Sequence, residues 1–266
     1  MFRHREGIFD FVVGRASLKG LTLLVLAVAA PAVAVRAQKS HPPHWSYDGK
    51  EGPEKWGVLD PAYATCSRGR AQSPIDIDHA VKADLHPLRF DYKASPLNII
   101  DNGHTIQVNY SPGSTLTVGD RVYTLKQFHF HHPSEEQVNG RTFDLVAHLV
   151  HDDGAAHLAV VAVLFKTGSS NTALETIWKS TPAEKEKAIS VPAVSLNAKD
   201  LLPPDQGYYT FSGSLTTPPC TEGVAWYVLK NQSFLSVDQV TAFARIYPSN
   251  ARPVQPSNGR EILETK

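Results

Sequence analysis

Leu158-Ala-Val-Val-Ala-Val-Leu-Phe165 is an unbroken run of eight apolar residues. A run of this length reads as a strand, and one apolar on both faces must be covered on both, so it predicts the centre of a large sheet. The surrounding pattern agrees. Leu97–Asp101 and His104–Tyr110 flank Asn102-Gly103, a dipeptide suited to a tight hairpin turn. Thr115–Val118 and Arg121–Leu125 repeat the arrangement around Gly119-Asp120, and Lys126–His132 continues the second strand. Phe143–His151 and Val224–Lys230 are further strands. Helix signals are few: Asn171–Lys179, and a capping box at Ser236 and Gln239 opening a helix through about Tyr247. Residues 38–70, rich in Pro, Gly and aromatics, read as irregular surface chain. No repeat or linker divides residues 38–266. The expectation is a mainly β (α+β) single domain around a large twisted, mostly antiparallel sheet with short peripheral helices.

Residues 1–37 read differently. Arg3, His4, Arg5, Arg15 and Lys19 precede the apolar run Leu21–Val35, and Val35-Arg36-Ala37 places small residues where a signal peptidase reads them. Earlier cuts after Ala32 or Ala34 are alternatives. The run is shorter than the roughly 20 residues of a membrane span, so a removed secretory leader is expected, with no stable span after processing. The whole chain has 26 basic and 26 acidic side chains, and the leader would take five basic and two acidic ones with it. The remainder is mildly acidic, which argues against a nucleic-acid partner or a polybasic membrane-surface protein. In an oxidising compartment, Cys66 and Cys220, the two cysteines present, would form one disulfide. Closing so long a loop is worth at most roughly 4–5 kcal/mol in the chain-entropy model.

Twelve histidines stand in the chain, and Gln127-Phe-His-Phe-His-His132 concentrates three of them. Residues two apart in a strand share a face, so His129 and His131 project together, opposite Phe128, Phe130 and His132. A third metal ligand must come from elsewhere. His148 and His151 have opposite parity and cannot both face that site. His148, inside the apolar stretch, is the candidate. Three neutral imidazoles suit zinc, and a fourth tetrahedral position would take water, as in a catalytic site. By spacing alone, a sheet of histidines with purely structural partners remains an equal alternative.

The neighbouring motifs distinguish the two. Gln127-Phe-His-Phe-His131, Pro133-Ser-Glu135, Ala147-His-Leu-Val-His151 and Ser214-Leu-Thr-Thr-Pro-Pro219 resemble the α-class carbonic anhydrases, in the bacterial secreted or periplasmic form. So do His44-Trp45-Ser-Tyr47, Trp56, Gln72-Ser-Pro-Ile-Asp76, Asn102-Gly-His104 and Asn250-Ala-Arg-Pro253, in order along about residues 44–262. The resemblance implies reversible hydration of carbon dioxide to bicarbonate and a proton by zinc-bound hydroxide; this family is itself the standard example of a three-His zinc site that activates water. It implies that His129, His131 and His148 are the zinc ligands. Thr216 would accept from the zinc-bound group while donating to Glu135, and Thr217 would assist bicarbonate. Val150, Val160, Leu215, Val224 and Trp226 would form the apolar wall that receives carbon dioxide. His104 would shuttle protons, and Tyr47, Asn102, Gln107 and Gln127 would line the polar side of the cavity. The Cys66–Cys220 bridge would pin the loop carrying Thr216, and Ser73-Pro74 and Pro218-Pro219 would be cis. The partners implied are the small substrate and product, with a homodimer left open.

Two positions depart from the family pattern. Many members place Glu two residues before the third ligand, where this chain has Val146, and His after the gate carboxylate, where it has Glu136. Glu136 is the candidate replacement acceptor for His148. A noncatalytic binding protein of the same fold would lack a ligand histidine, and a zinc reservoir would carry a dense His-rich loop; neither feature is visible. A different zinc hydrolase would need an ester-binding motif, and none is apparent.

Overall fold

The computed structural model describes residues 44–266. The expected leader and its cleavage points lie outside the described residues. Ten strands carry the architecture: β1 (Val81–Ala83), β2 (Ser95–Asp101), β3 (Ile106–Asn109), β4 (Arg121–His131), β5 (Leu145–Asp152), β6 (Leu158–Thr167), β7 (Ile189–Leu196), β8 (Tyr208–Ser214), β9 (Glu222–Leu229) and β10 (Leu263–Thr265). They lie side by side as β7-β2-β3-β4-β5-β6-β9-β8-β10-β1 in one twisted sheet. Only β6–β9 and β10–β1 are parallel along this path. The mainly β, mostly antiparallel expectation therefore holds, and β6, the apolar run, sits near the middle.

Alternation along the strands separates two cores. Phe128, Phe130, Leu149, Val161 and Val163 face one side, covered by Leu174 and Ile177 of the helix Thr172–Lys179 and by Phe243 of the helix Val237–Ile246. Val146, Val160, Ala162, Leu164, Trp226 and Val228 face the other, with Ile75 and Ile77. The Ser236–Gln239 capping box opens one helix as expected; the other begins one residue later than expected, with Asn171 as its N-cap.

A β-bulge makes this separation work. The register of β4 against β5 shifts between Leu125 and Gln127. Tyr123 and Leu125 thereby join the same core as Phe128 and Phe130, despite their opposite parity in sequence. An extra residue at Lys126 re-aims the strand and leaves His129 and His131 on the second face.

Several boundaries differ from the sequence expectation. The second strand of the first hairpin begins at Ile106, so His104 and Thr105 belong to the turn. Strands β7, β8, β10 and β1 are additional to those the sequence pattern implies. Residues 44–70 are not merely surface chain: Trp56, Tyr63 and Cys66 pack with Cys220 in a third small cluster. Their burial depends on distant partners, which local composition does not announce. Ser73-Pro74 and Pro218-Pro219 are cis as expected, and so is His132-Pro133.

Candidate metal centre and active site

Residue pairing across the sheet assembles the histidines. In the β4–β5 ladder His129 stands opposite His148, and His131 lies two residues on, on the same face. Their ligand atoms all fall within 4.8 Å of one another. His151, on the other face, is excluded from this group.

One nitrogen of each ring is committed elsewhere. The Nδ1–H of His129 donates to Gln127 Oε1 at 2.9 Å, and that of His131 to the Asn250 carbonyl at 2.7 Å. The Nε2 of His148 lies 3.0 and 3.1 Å from the two oxygens of Glu136. Glu136 thus occupies the acceptor position that Val146, pointing into the apolar core, cannot fill. That leaves His129 Nε2, His131 Nε2 and His148 Nδ1 to converge, with His148 Nδ1 also 3.8 Å from Glu135 Oε2. His131 Nε2 is buried without any hydrogen-bond partner. A buried, unpaired imidazole nitrogen is costly, and coordination to a cation would satisfy it.

The electrostatics favour the neutral imidazole at two of the three rings. Burial lowers His129 to about 3, with His148 adding to the fall. Burial also holds His131 well below its usual value, helped by its two neighbouring rings. Burial pulls His148 down as well, but Glu136 and Glu135 outweigh it and the net direction is upward. Burial pushes Glu135 up to about 7; His148 opposes this and Glu136 adds to it, while the Arg252 N–H and the Thr216 hydroxyl pull it back.

Glu135 is fixed from the far end of the chain. Its Oε1 accepts from the Arg252 N–H at 2.8 Å. The Arg252 guanidinium donates to Gln72 Oε1, the Ser73 carbonyl and the Cys66 carbonyl at 2.7–2.9 Å. The Cys66–Cys220 disulfide is formed, across a separation of 154 residues. Cys220 also closes the Thr217–Cys220 turn that follows Thr216, because its N–H donates to the Thr217 carbonyl at 2.8 Å. The start of that loop is held by Trp226, whose Nε1–H donates to the Ser214 carbonyl at 3.0 Å. Gly213 permits this approach: a Cβ there would stand 2.7 Å from the Trp226 ring and 2.2 Å from Ser73 Oγ.

Two kinds of surface meet at the histidines. Val160, Val224 and Trp226 are buried in the second core, with Val150 and Leu215 packed against it; Trp226 lies edge-on to His148 at 5.0 Å. The polar side is a cleft of ≈ 130 Å³ lined by Tyr47, Asn102, His104, Gln107, Gln127, His129, His131 and Thr217, together with Trp45 and Thr105. His104 stacks on Trp45 with ring centroids 3.7 Å apart. Partial burial lowers its pKa, as does nearby His44, while Glu186 opposes them.

Sequence reasoning assigned no part to Trp45, Arg252 or Asn250 beyond membership in motifs. Their contacts here cross more than a hundred residues or depend on ring stacking, and no local spacing encodes either.

The arrangement matches known proteins closely. A family model described as eukaryotic-type carbonic anhydrase matches residues 51–266. A carbonic anhydrase of Neisseria gonorrhoeae is 46% identical over 246 residues, covering 90% of this chain and 95% of that protein. One from Pectobacterium carotovorum is 41% identical over 248 residues, covering 92% of this chain and 100% of that protein. Among solved structures, a hyperthermostable carbonic anhydrase from an active hydrothermal vent chimney superposes with a TM-score of 0.81 and 45% identity, over 84% of this chain and 100% of that one.

Proposed function

The chain belongs to the eukaryotic-type, α-class carbonic anhydrase family, whose members hydrate carbon dioxide, and on that premise we propose that it does so at a zinc ion held by His129, His131 and His148. The observation that carries this reading is the convergence of three imidazoles around the unpartnered His131 Nε2. Zinc bound there supplies Lewis-acid activation of water.

This chain's own residues do the rest. Gln127, the Asn250 carbonyl and Glu136 fix the three ring orientations, which preserves ligand geometry and basicity. Thr216, its proton directed to Glu135, can only accept from the attacking oxygen and so aims that oxygen's lone pair. Thr217 assists bicarbonate. Val150, Val160, Leu215, Val224 and Trp226 offer carbon dioxide an apolar surface without a charged clamp, which suits a small neutral substrate. His104, at the cleft mouth, passes the surplus proton outward; its lowered pKa keeps the ring neutral and able to accept near pH 7. Tyr47, Asn102, Gln107 and Gln127 line its path.

The disulfide supports a periplasmic or secreted location, reached by a leader over residues 1–37 that leaves 38–266 as the catalytic domain. Among the described residues no helix is long and apolar enough to cross a membrane.

Stopped-flow hydration of carbon dioxide by the zinc-loaded protein, alongside His148→Ala, tests the reading. The parent should accelerate hydration and the variant should not. Background rates from both would end it.

A further inference from the structure

The β3–β4 ladder stops at the pair Gln107–His129. The next residue on β4, Phe130, lies between two proposed metal ligands, yet its backbone groups are not left open on this edge. The Thr105 hydroxyl donates to the Phe130 carbonyl at 2.5 Å and accepts from the Phe130 N–H at 3.2 Å. One side-chain hydroxyl thus takes both groups that a continuing strand would have paired.

A second side chain secures the same place. Asn250 Nδ2 donates to the Phe130 carbonyl at 2.9 Å and to the His104 carbonyl at 3.0 Å. Asn250 Oδ1 accepts from the His132 N–H at 2.8 Å. Within the turn, Asn102 Oδ1 accepts from the His104 and Thr105 N–H groups at 3.0 and 2.9 Å. The turn bearing His104 is therefore bolted, one residue past His104, to the strand segment bearing His129 and His131. Thr105 and Asn250 are both buried, so water does not replace these bonds readily.

We propose that Thr105 is a positioning residue for proton transfer: its hydroxyl, with the Asn250 amide, fixes the distance between His104 and the metal centre. This rests on the shuttle reading of His104. A proton relay depends steeply on separation and alignment, whereas attack on carbon dioxide does not involve the turn. Loss of the anchor should slow the proton step and spare the hydration step. Asn250 is a poor probe, because its carbonyl also holds His131 and its side chain holds His132. Thr105 hydrogen-bonds to neither.

The test measures carbon dioxide hydration by zinc-loaded Thr105→Val, Thr105→Ser and His104→Ala, in weak buffer and in added imidazole. For Thr105→Val, kcat in weak buffer should fall at least about threefold, toward the His104→Ala value, with kcat/KM within about twofold of the parent. Imidazole should restore kcat, and Thr105→Ser, which keeps the hydroxyl, should retain most of it. If the valine protein does not fold, Thr105→Ala is read in the same way. A loss in His104→Ala with none in Thr105→Val overturns the anchor and leaves the shuttle standing. No loss in either overturns both. Equal falls in kcat and kcat/KM of Thr105→Val overturn the positioning role as well.

Discussion

His148 and His151 lie three residues apart on β5, and both are buried, yet their pKa values move in opposite directions. His148 faces two carboxylates; Glu136 and Glu135 favour its charged form strongly enough to outweigh burial. His151 faces Tyr92, whose hydroxyl stands 2.6 Å from its Nε2, while its Nδ1 reaches the Ala159 carbonyl at 3.3 Å. Burial dominates there and lowers it to about 4. Neither depth nor residue type separates the two; the partners do. A pocket whose anions would stabilise a proton also stabilises a metal cation in its place. One offering a hydroxyl and a carbonyl stabilises a neutral ring and nothing more.

The largest effect that should divide them is loss of the ring itself. His148→Ala should weaken zinc binding by more than about 100-fold, beyond the range typical of an outer hydrogen-bond partner, whereas His151→Gln should bind zinc like the parent. Equal zinc content in both variants, measured after dialysis against a chelator, would erase the distinction.

The second effect is in acid. An unfolded imidazole takes up its proton near pH 6.5, but His151 in the fold resists to about 4. Between those values the unfolded chain binds the extra proton. Stability should therefore be complete above pH 6.5 and decline as pH falls, by about 3 kcal/mol in total from this group. Urea titrations across that window should show a shallower decline for His151→Gln, and identical slopes would contradict the buried neutral ring.

Glu136→Gln probes the other partner. It keeps the size of the side chain and removes the charge, so zinc should leave faster, with an affinity lower by about 10–100-fold. An unchanged release rate would mean that Glu136 does not hold His148. Smallest of the four, Tyr92→Phe should cost about 1–2 kcal/mol of stability by stranding His151 Nε2. Zinc release and hydration rates should stay at parent values. A change in either would mean that the two histidines are coupled across the sheet.

Much of this was readable in the residues. The His129/His131 pair follows from the two-residue period of a strand, and parity alone separates His148 from His151. The central place of Leu158–Phe165 follows from its lack of a polar face. Strand β7 was hidden because Pro192 interrupts it; the pairing with β2 shifts register between Val191 and Ser195, and a proline is tolerated there at an edge and bulge. The short helices and buried rings of residues 44–70 were hidden for another reason. Trp56 is covered through the disulfide cluster and beneath the Arg252 guanidinium, contacts that exist only once the chain ends have met. The Glu136 contact lies between these cases. A missing acceptor at Val146 and a surplus carboxylate at Glu136 can both be seen in sequence, but only the fold brings Glu136 to the ring.

The carbonyl that orients His131 belongs to Asn250, and the N–H that holds Glu135 belongs to Arg252. A chain made from its amino end therefore presents all three histidines about a hundred residues before the groups that aim them exist. Until then His131 Nδ1 has no Asn250 carbonyl to meet, and Glu135 lacks its backbone donor. Order of synthesis thus becomes order of assembly: the proposed centre gains its three histidines early and its geometry last, and a product cut short before residue 250 would keep all three imidazoles without the groups that orient His131 and Glu135.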